Sequence, residues 1–330
     1  FAPERRGYAL GMTATGLALG NTLGPVVSAL ITGYVHWRWL FAVPLLLLAT
    51  LPFYRKYLEN EQTKSGSIDW IGGGLLAAAV ALLLLGVTEG AWPYFGFGLL
   101  AAALFAARIR HAAQPFVDPS LLKNKAYASG LAMAFVITGA LISVYFPSPL
   151  LLADVQRLPS AWIGFAMVPA AATAALLGRK AGRLADRKGN AYLFFLASAL
   201  LLFCFLSLST FTAAATAWIA LFLVFGNVGQ SFMSIALSNS ISRTLPKERA
   251  GVGMGLFSML NFMSQAIAAG IYGRAIDAGA AASWNPANAS GRGFVFSNIY
   301  LVLAVLLLAV LAVYYFRQIR TRSADVGLGH

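Results

Sequence analysis

Apolar runs of about twenty residues recur from one end of the chain to the other, and few kinds of fold can hold them. A helix needs about 20 mainly apolar residues to cross ~30 Å of hydrocarbon. Ten runs of that kind can be read: Tyr8–Tyr34, Trp39–Tyr54, Ile68–Thr88, Trp92–Ala107, Ala126–Leu152, Ala161–Gly178, Ala191–Thr210, Thr212–Ile241, Gly251–Ile276 and Ser297–Phe316. A transmembrane barrel would instead show segments of ~10 residues that alternate apolar and polar. These runs are continuous, rich in Leu and Ala, and separated by charged loops. They predict an all-α integral membrane protein. Charge agrees: 11% of residues are charged, against about 25% in soluble domains. One cysteine and a 59% hydrophobic content exclude a disulfide scaffold and a disordered chain.

The few charges are lopsided, with a formal net of +13. In a soluble chain that would suggest nucleic acid, a reading the apolar runs remove. When the loops are assigned to alternate sides, 20 of the 24 cations fall on the side that holds both chain ends. The positive-inside rule then places both ends in the cytoplasm. Trp37, Trp39, Trp70, Trp92, Trp162 and Trp218 lie near run ends, where amphipathic rings favour the interface.

Two segments resemble each other. RRGYALG from Arg5 and RAGVGMG from Arg249 share the pattern R-x-G-x-small-apolar-G at an offset of 244 residues, each at the mouth of a run. Internal repeats recur in secondary transporters. If the second copy opens the fifth of the last six helices, the first opens the fifth of another six. Four helices would then precede Phe1, two extra helices would lie between the halves, and ten of an inferred fourteen would be present.

Three motifs carry a family resemblance. In the first run, Gly16, Gly20, Gly24 and Ser28 are spaced by four and followed, after Gly24, by Pro25. That spacing makes one small-residue stripe on which another backbone can close, and the proline bends the helix. The segment resembles the antiporter signature of the major facilitator superfamily, with Ser28 and Ala29 in place of its last two glycines. GRLADRKG, from Gly182 to Gly189, resembles the superfamily's loop motif. Its residues suit a loop between two spans, with Gly182 for close packing, Asp186 to cap the next helix, Arg187 to pair across and Gly189 for the turn. QPFVDPSLLKN, with PERRGYALG and VHWRWLF, is similar to fourteen-helix drug:proton antiporters, tetracycline exporters above all. The resemblance implies a major facilitator fold, N-terminally truncated. Residues 1–54 would hold the last two helices of the first half, 55–107 two linker helices, and 108–330 the second half.

Proton coupling needs a titratable group within the membrane, and none of the eleven acids lies mid-run. Glu89 and Asp277 come nearest, both at outer ends, so the main carrier is one of these or lies upstream of Phe1. Gln265 stands where the tetracycline exporters carry an acid. Polar residues inside runs are either glue between helices or cavity wall. Asn21, Asn227, Asn261 and Gln265 are the first candidates, Ser231, Ser234, Ser238 and Ser258 share their faces, and Tyr145 and Phe146 are aromatic candidates beside a Pro147/Pro149 break. Cys204 reads as an apolar filler, and three scattered histidines make no metal site. The resulting expectation is a monomeric, proton-driven exporter of amphipathic small molecules that needs no cofactor, binds no nucleic acid and works in a lipid bilayer. An importer on the same fold and a non-transporting scaffold are the alternatives.

Overall fold

The computed structural model describes residues 35–57, 69–112, 115–246, 249–288 and 292–327, with single helical positions between 8 and 31. Every regular element among them is a helix. A 3₁₀ segment, Trp37–Thr50, contains Pro44 and runs into α1, Leu51–Tyr57. A hairpin follows: α2, Trp70–Glu89, and α3, Trp92–His111. The short α4, Pro119–Lys123, leads into α5, Lys125–Leu141. After a 3₁₀ turn at Ile142–Val144 come α6, Pro147–Asp154, and α7, Ser160–Lys188. The chain ends with α8, Asn190–Thr210, α9, Thr216–Ser242, α10, Ala250–Ala278, and α11, Phe294–Gly327.

Among the described residues, eight helices are long and apolar enough to cross a membrane, or nine if the bent pair Trp162–Gly178 and Lys180–Lys188 is one span. The ten expected runs are thus not all matched. The first, Tyr8–Tyr34, falls largely outside the described residues. The other nine fall on helices whose ends shift by a few residues, except that α7 runs on to Lys188 and α11 to Gly327. Large apolar side chains such as Phe41, Leu46, Leu99, Leu176, Phe262 and Val305 stand exposed along them, as lipid-facing surfaces require. The six interface tryptophans are exposed as well.

Hydrogen bonds sort the helix ends into two sets. At one end Asn124, the cap of α5, donates to Thr244 O past the end of α9 (3.0 Å), and Tyr127 OH donates to Gly253 O at the start of α10 (2.7 Å). Asn190, opening α8, donates to Ala236 O near the end of α9 (2.8 Å), and Phe194 stacks on Tyr314 of α11 (4.1 Å). Lys125, Lys188, Arg243 and Arg249 lie at these same helix ends. At the opposite end Gln156 Nε2 donates to Ala214 O (2.8 Å) and Ser209 Oγ to Ser297 O (2.9 Å). Consecutive helices from α8 to α11 therefore alternate between the two sets of ends.

The core lies where α9 packs on α7 and α8, α8 on α11, and α5 on α10. Tyr127, Phe205, Leu201, Leu223 and Tyr300 are fully buried there. Close approach of α8 and α9 depends on a glycine: a Cβ at Gly226 would stand 2.7 Å from Cys204 Sγ. Cys204 is buried as the expected filler. The α2–α3 hairpin closes in the same way, with Gly86 against Phe95 and Gly98 against Leu83. On its other face α2 packs along α10.

Candidate transport site

The seam between α5 and α10 is laced by polar contacts inside apolar spans. Thr138 Oγ1 donates to Asn261 Oδ1 (2.9 Å), Tyr272 OH to Gly139 O (2.8 Å), and Ser264 Oγ to Phe135 O. Gly139 makes room for them, since a Cβ there would lie 2.9 Å from Ser264 Oγ. Asn261 therefore bonds between helices while remaining half-buried. Gln265, one turn on, is also half-buried, at the position where a titratable group was looked for. The break in the fifth expected run occurs as read, with Pro147 opening α6 after the 3₁₀ turn. Tyr145 and Phe146 stand half-buried at this break, and the Phe146 ring comes within 3.8 Å of a Cβ position on Gly273 of α10.

Asn227 differs. It is 1% exposed, its Nδ2 donates to Leu223 O in its own helix (3.0 Å), and its Oδ1 has no partner among the described residues. Ser231 Oγ, one turn along, is likewise buried and unpartnered. A buried acceptor left without a donor costs about 1–3 kcal/mol, which sets this face of α9 apart from the bonded α5–α10 seam. Ser234 and Ser238 continue the face half-buried. Asn21 lies outside the described residues, as does Pro25.

Two expectations about the motifs need restating. The segment from Gly182 to Lys188 is not a loop: it completes α7, and the chain turns only at Gly189, whose φ is +88°. The reason is composition, since Ala, Leu, Arg and Lys all favour a helix and no proline interrupts them. Ala181, Gly182 and Ala185 are buried on one face while Asp186, Arg187 and Lys188 are exposed. Asp186 does not cap the next helix: Gly189 occupies that position with no side-chain bond. Asp186 instead sits in the last turn of α7, and among the described residues the ion pairs are Arg108–Asp69 and Arg249–Asp118, neither involving Arg187. Arg183 does reach elsewhere: its guanidinium lies 6.0 Å from the Tyr8 ring, joining the first run to the end of α7. Along that run Gly16, Gly20 and Gly24 are exposed, and a Cβ on any of them meets nothing within 4 Å.

Glu89 and Asp277 are exposed at the ends of two helices that run side by side. Gly270 faces Thr88 and Val87, and the Arg274 guanidinium lies against Gly90, where a Cβ would be 2.8 Å from it. A cation thus sits between the two helix ends that carry the acids.

The acids that matter most to the fold went unsingled in the sequence. Asp69 caps α2 through Gly72 N (3.0 Å), accepts from Arg108 Nη2 (3.2 Å) at the end of α3, and accepts from Phe116 N (3.3 Å). These contacts, led by the Gly72 amide, hold its carboxyl below its ordinary range. Asp118 caps α4 through Ser120 N (2.8 Å) and pairs with Arg249 (3.4 Å), and Ser120 leads the causes that lower it too. An Asp ahead of an apolar run is a cap signal, so half of this was legible. Arg108 and Arg249 are far along the chain and carry no local cue.

Comparison with known proteins agrees with this arrangement. The family model for the Major Facilitator Superfamily matches residues 1–269. Multidrug resistance protein 3 of Bacillus subtilis is 25% identical over 83% of this chain and 56% of its own length. The riboflavin transporter RibZ of Clostridioides difficile is 24% identical over 81% of this chain and 60% of its length. A multidrug resistance protein B homolog of Mycobacterium tuberculosis is 27% identical over 57% of this chain and 37% of its length. The chain spans about half the length of the curated relatives it matches. Apolar helices that alternate between two bundle ends, with a family match over most of the chain, make this a member of the Major Facilitator Superfamily, whose proteins are transporters and not enzymes.

Proposed function

We propose that the protein exports amphipathic small molecules, drugs among them, in exchange for protons, by rocking helical halves about a midplane cavity. The observation that carries this reading is the set of uncharged polar side chains held inside apolar spans: Thr138 and Asn261 across the α5–α10 seam, Gln265 beyond them, and Asn227 on α9, whose Oδ1 has no partner among the described residues. Polar groups at membrane depth are costly and mark substrate paths. A mostly apolar wall with a few polar points suits a ligand with a large apolar body and few hydrogen-bonding groups. Two relatives named for multidrug resistance point the same way. The cation-rich bundle end then faces the cytoplasm of a bacterial plasma membrane. The proton gradient is the energy source and no cofactor takes part. The working unit is a monomer. Glu89 and Asp277 are the coupling candidates within this chain, and the stripe of Gly16, Gly20, Gly24 and Pro25 is a seam for a neighbouring helix.

Inverted vesicles carrying the intact protein should accumulate ethidium only under a proton gradient. The Glu89→Gln/Asp277→Asn double variant should lose that dependence; full coupling in the variant removes both acids from the mechanism. Gly24→Leu should insert normally yet transport less or leak protons. Accumulation without a gradient overturns proton coupling, and no accumulation overturns the drug reading. A second reading, import of a metabolite, is favoured by the relative named a riboflavin transporter. Riboflavin uptake into right-side-out vesicles, with ethidium unmoved, decides for it.

A further inference from the structure

At the cation-rich end, a cavity of about 200 Å³ opens between the start of α5, the start of α8, the end of α9 and the end of α11. Its inner wall is Phe194, Leu237, Ile241 and Tyr314, and Met133 and Gly130 line its side. Ala126 is exposed at its mouth, and Ser129, Ser240 and Thr244 are half-buried, so the cavity opens outward at the level of the helix ends. The hydroxyls are not aimed at a ligand. Ser129 donates to Lys125 O (2.7 Å), Thr244 donates to Ile241 O (2.7 Å), and Ser240 accepts from Asn190. What the cavity offers is an apolar slot, smaller than the ~300–1,000 Å³ of a drug-sized site.

The rim is charged in one sense. Lys125 and Arg243, both exposed, are each the chain neighbour of a lining residue, Ala126 and Thr244. Among the described residues, Asp69 is paired with Arg108 and Asp118 with Arg249. Asp186 lies at the end of α7 beside Arg187 and Lys188. Basic pockets between membrane helices select anionic headgroups, because the phosphate meets fixed cations while the chain stays in an apolar environment.

We propose that this cavity holds one acyl chain of an anionic phospholipid whose headgroup phosphate is met by Lys125 and Arg243. A drug-like substrate is disfavoured by the size of the slot and by hydroxyls turned back on the backbone, and a zwitterionic lipid gains less from the rim. The site is separate from the α5–α10 seam and needs no transport step to be occupied.

Native mass spectrometry of the intact purified protein, titrated with dioleoylphosphatidylglycerol or dioleoylphosphatidylcholine, tests it. The anionic phosphatidylglycerol should bind at least about five-fold tighter, and Lys125→Gln/Arg243→Gln should reduce that preference to near unity. Gly130→Leu should weaken both lipids, since a Cβ there meets only Ile241 at an ordinary 3.5 Å and the added atoms enter the slot. Circular dichroism and melting of each variant report folding independently of lipid. Equal affinity for the two lipids, an unchanged preference in the charge variant, or undiminished binding by folded Gly130→Leu overturns the proposal. So does displacement of the cavity's occupant by ethidium with no lipid retained. Loss of ethidium transport alone bears on the proposed export and leaves this binding readout unaffected.

Discussion

The two ends of the helix bundle are fastened by different chemistry. At the cation-rich end ion pairs join neutral contacts such as Tyr127 OH on Gly253 O, and the Arg249–Asp118 pair is exposed: Arg249 and Asp118 keep 52% and 42% of their side-chain surfaces in solvent. At the opposite end the fasteners are neutral and enclosed. Ser209 and Ser297 are fully buried and bond to each other's carbonyls, at 2.9 and 2.6 Å. Asn285 adds bonds to Ser209 Oγ (2.9 Å) and Thr210 Oγ1 (3.1 Å), and Asn298 holds Trp284 N (2.7 Å) and Ala282 O (3.0 Å). The loop after α10 is thereby stitched onto the end of α8 and the start of α11. Exposed ion pairs contribute little and are screened by salt, whereas a satisfied buried network is strengthened by its low dielectric. A cation excess serves topology first, and the exposed Arg249–Asp118 pair adds little hold at the end that carries it.

The largest test of that contrast is Asn285→Leu. It strips bonds from Ser209 and Thr210 and from the Ala287 amide (3.0 Å), leaving buried groups unpaired at a cost of about 1–3 kcal/mol. Melting in nanodiscs should fall by the same amount at 0.1 and at 1 M salt. A loss that salt restores or deepens would mean that charge governs this end as well. The next effect is smaller: Arg249→Gln should cost about 0.2–1 kcal/mol at low salt. It should cost nothing at 1 M, where the screening length is about 3 Å. A salt-independent loss there would erase the distinction between the ends.

How far the sequence foretold this depended on the range of the signal. Helix existence and direction were legible, because a run of apolar residues and the charge beside it are local facts. The proline break at Pro147 and the turn at Gly189 were legible for the same reason. The end of α7 was misread, since a charged stretch between two runs looks like a loop although its residues favour helix and Gly182 packs inward. Asn261 shows the limit most clearly. Its spacing marked it as facing something, but its partner Thr138 lies 123 positions away, and glue and cavity wall look alike until that partner is placed. Arg108 on Asp69 is the same case at 39 positions.

The smallest predicted effect concerns pH, and it separates the ends by titration. Asp69 and Asp118 are both held below the ordinary aspartate value of 3.8. A carboxyl lowered on folding stabilises the folded form at every pH above its ordinary value, and that contribution is lost only as pH falls through the lower folded value. Neither carboxylate should change its charge between pH 7 and 5. Below about 3.8 the amides of Gly72, Phe116 and Ser120 should lose hydrogen-exchange protection, after correction for intrinsic rates, because each donates to one of these carboxylates. The Trp284 amide, which donates to the side-chain oxygen of Asn298, has no titrating partner and should stay protected through the same window. If Trp284 deprotects together with Gly72, the two ends open as one unit, and the contrast between carboxylate-held amides at one end and neutrally held ones at the other fails.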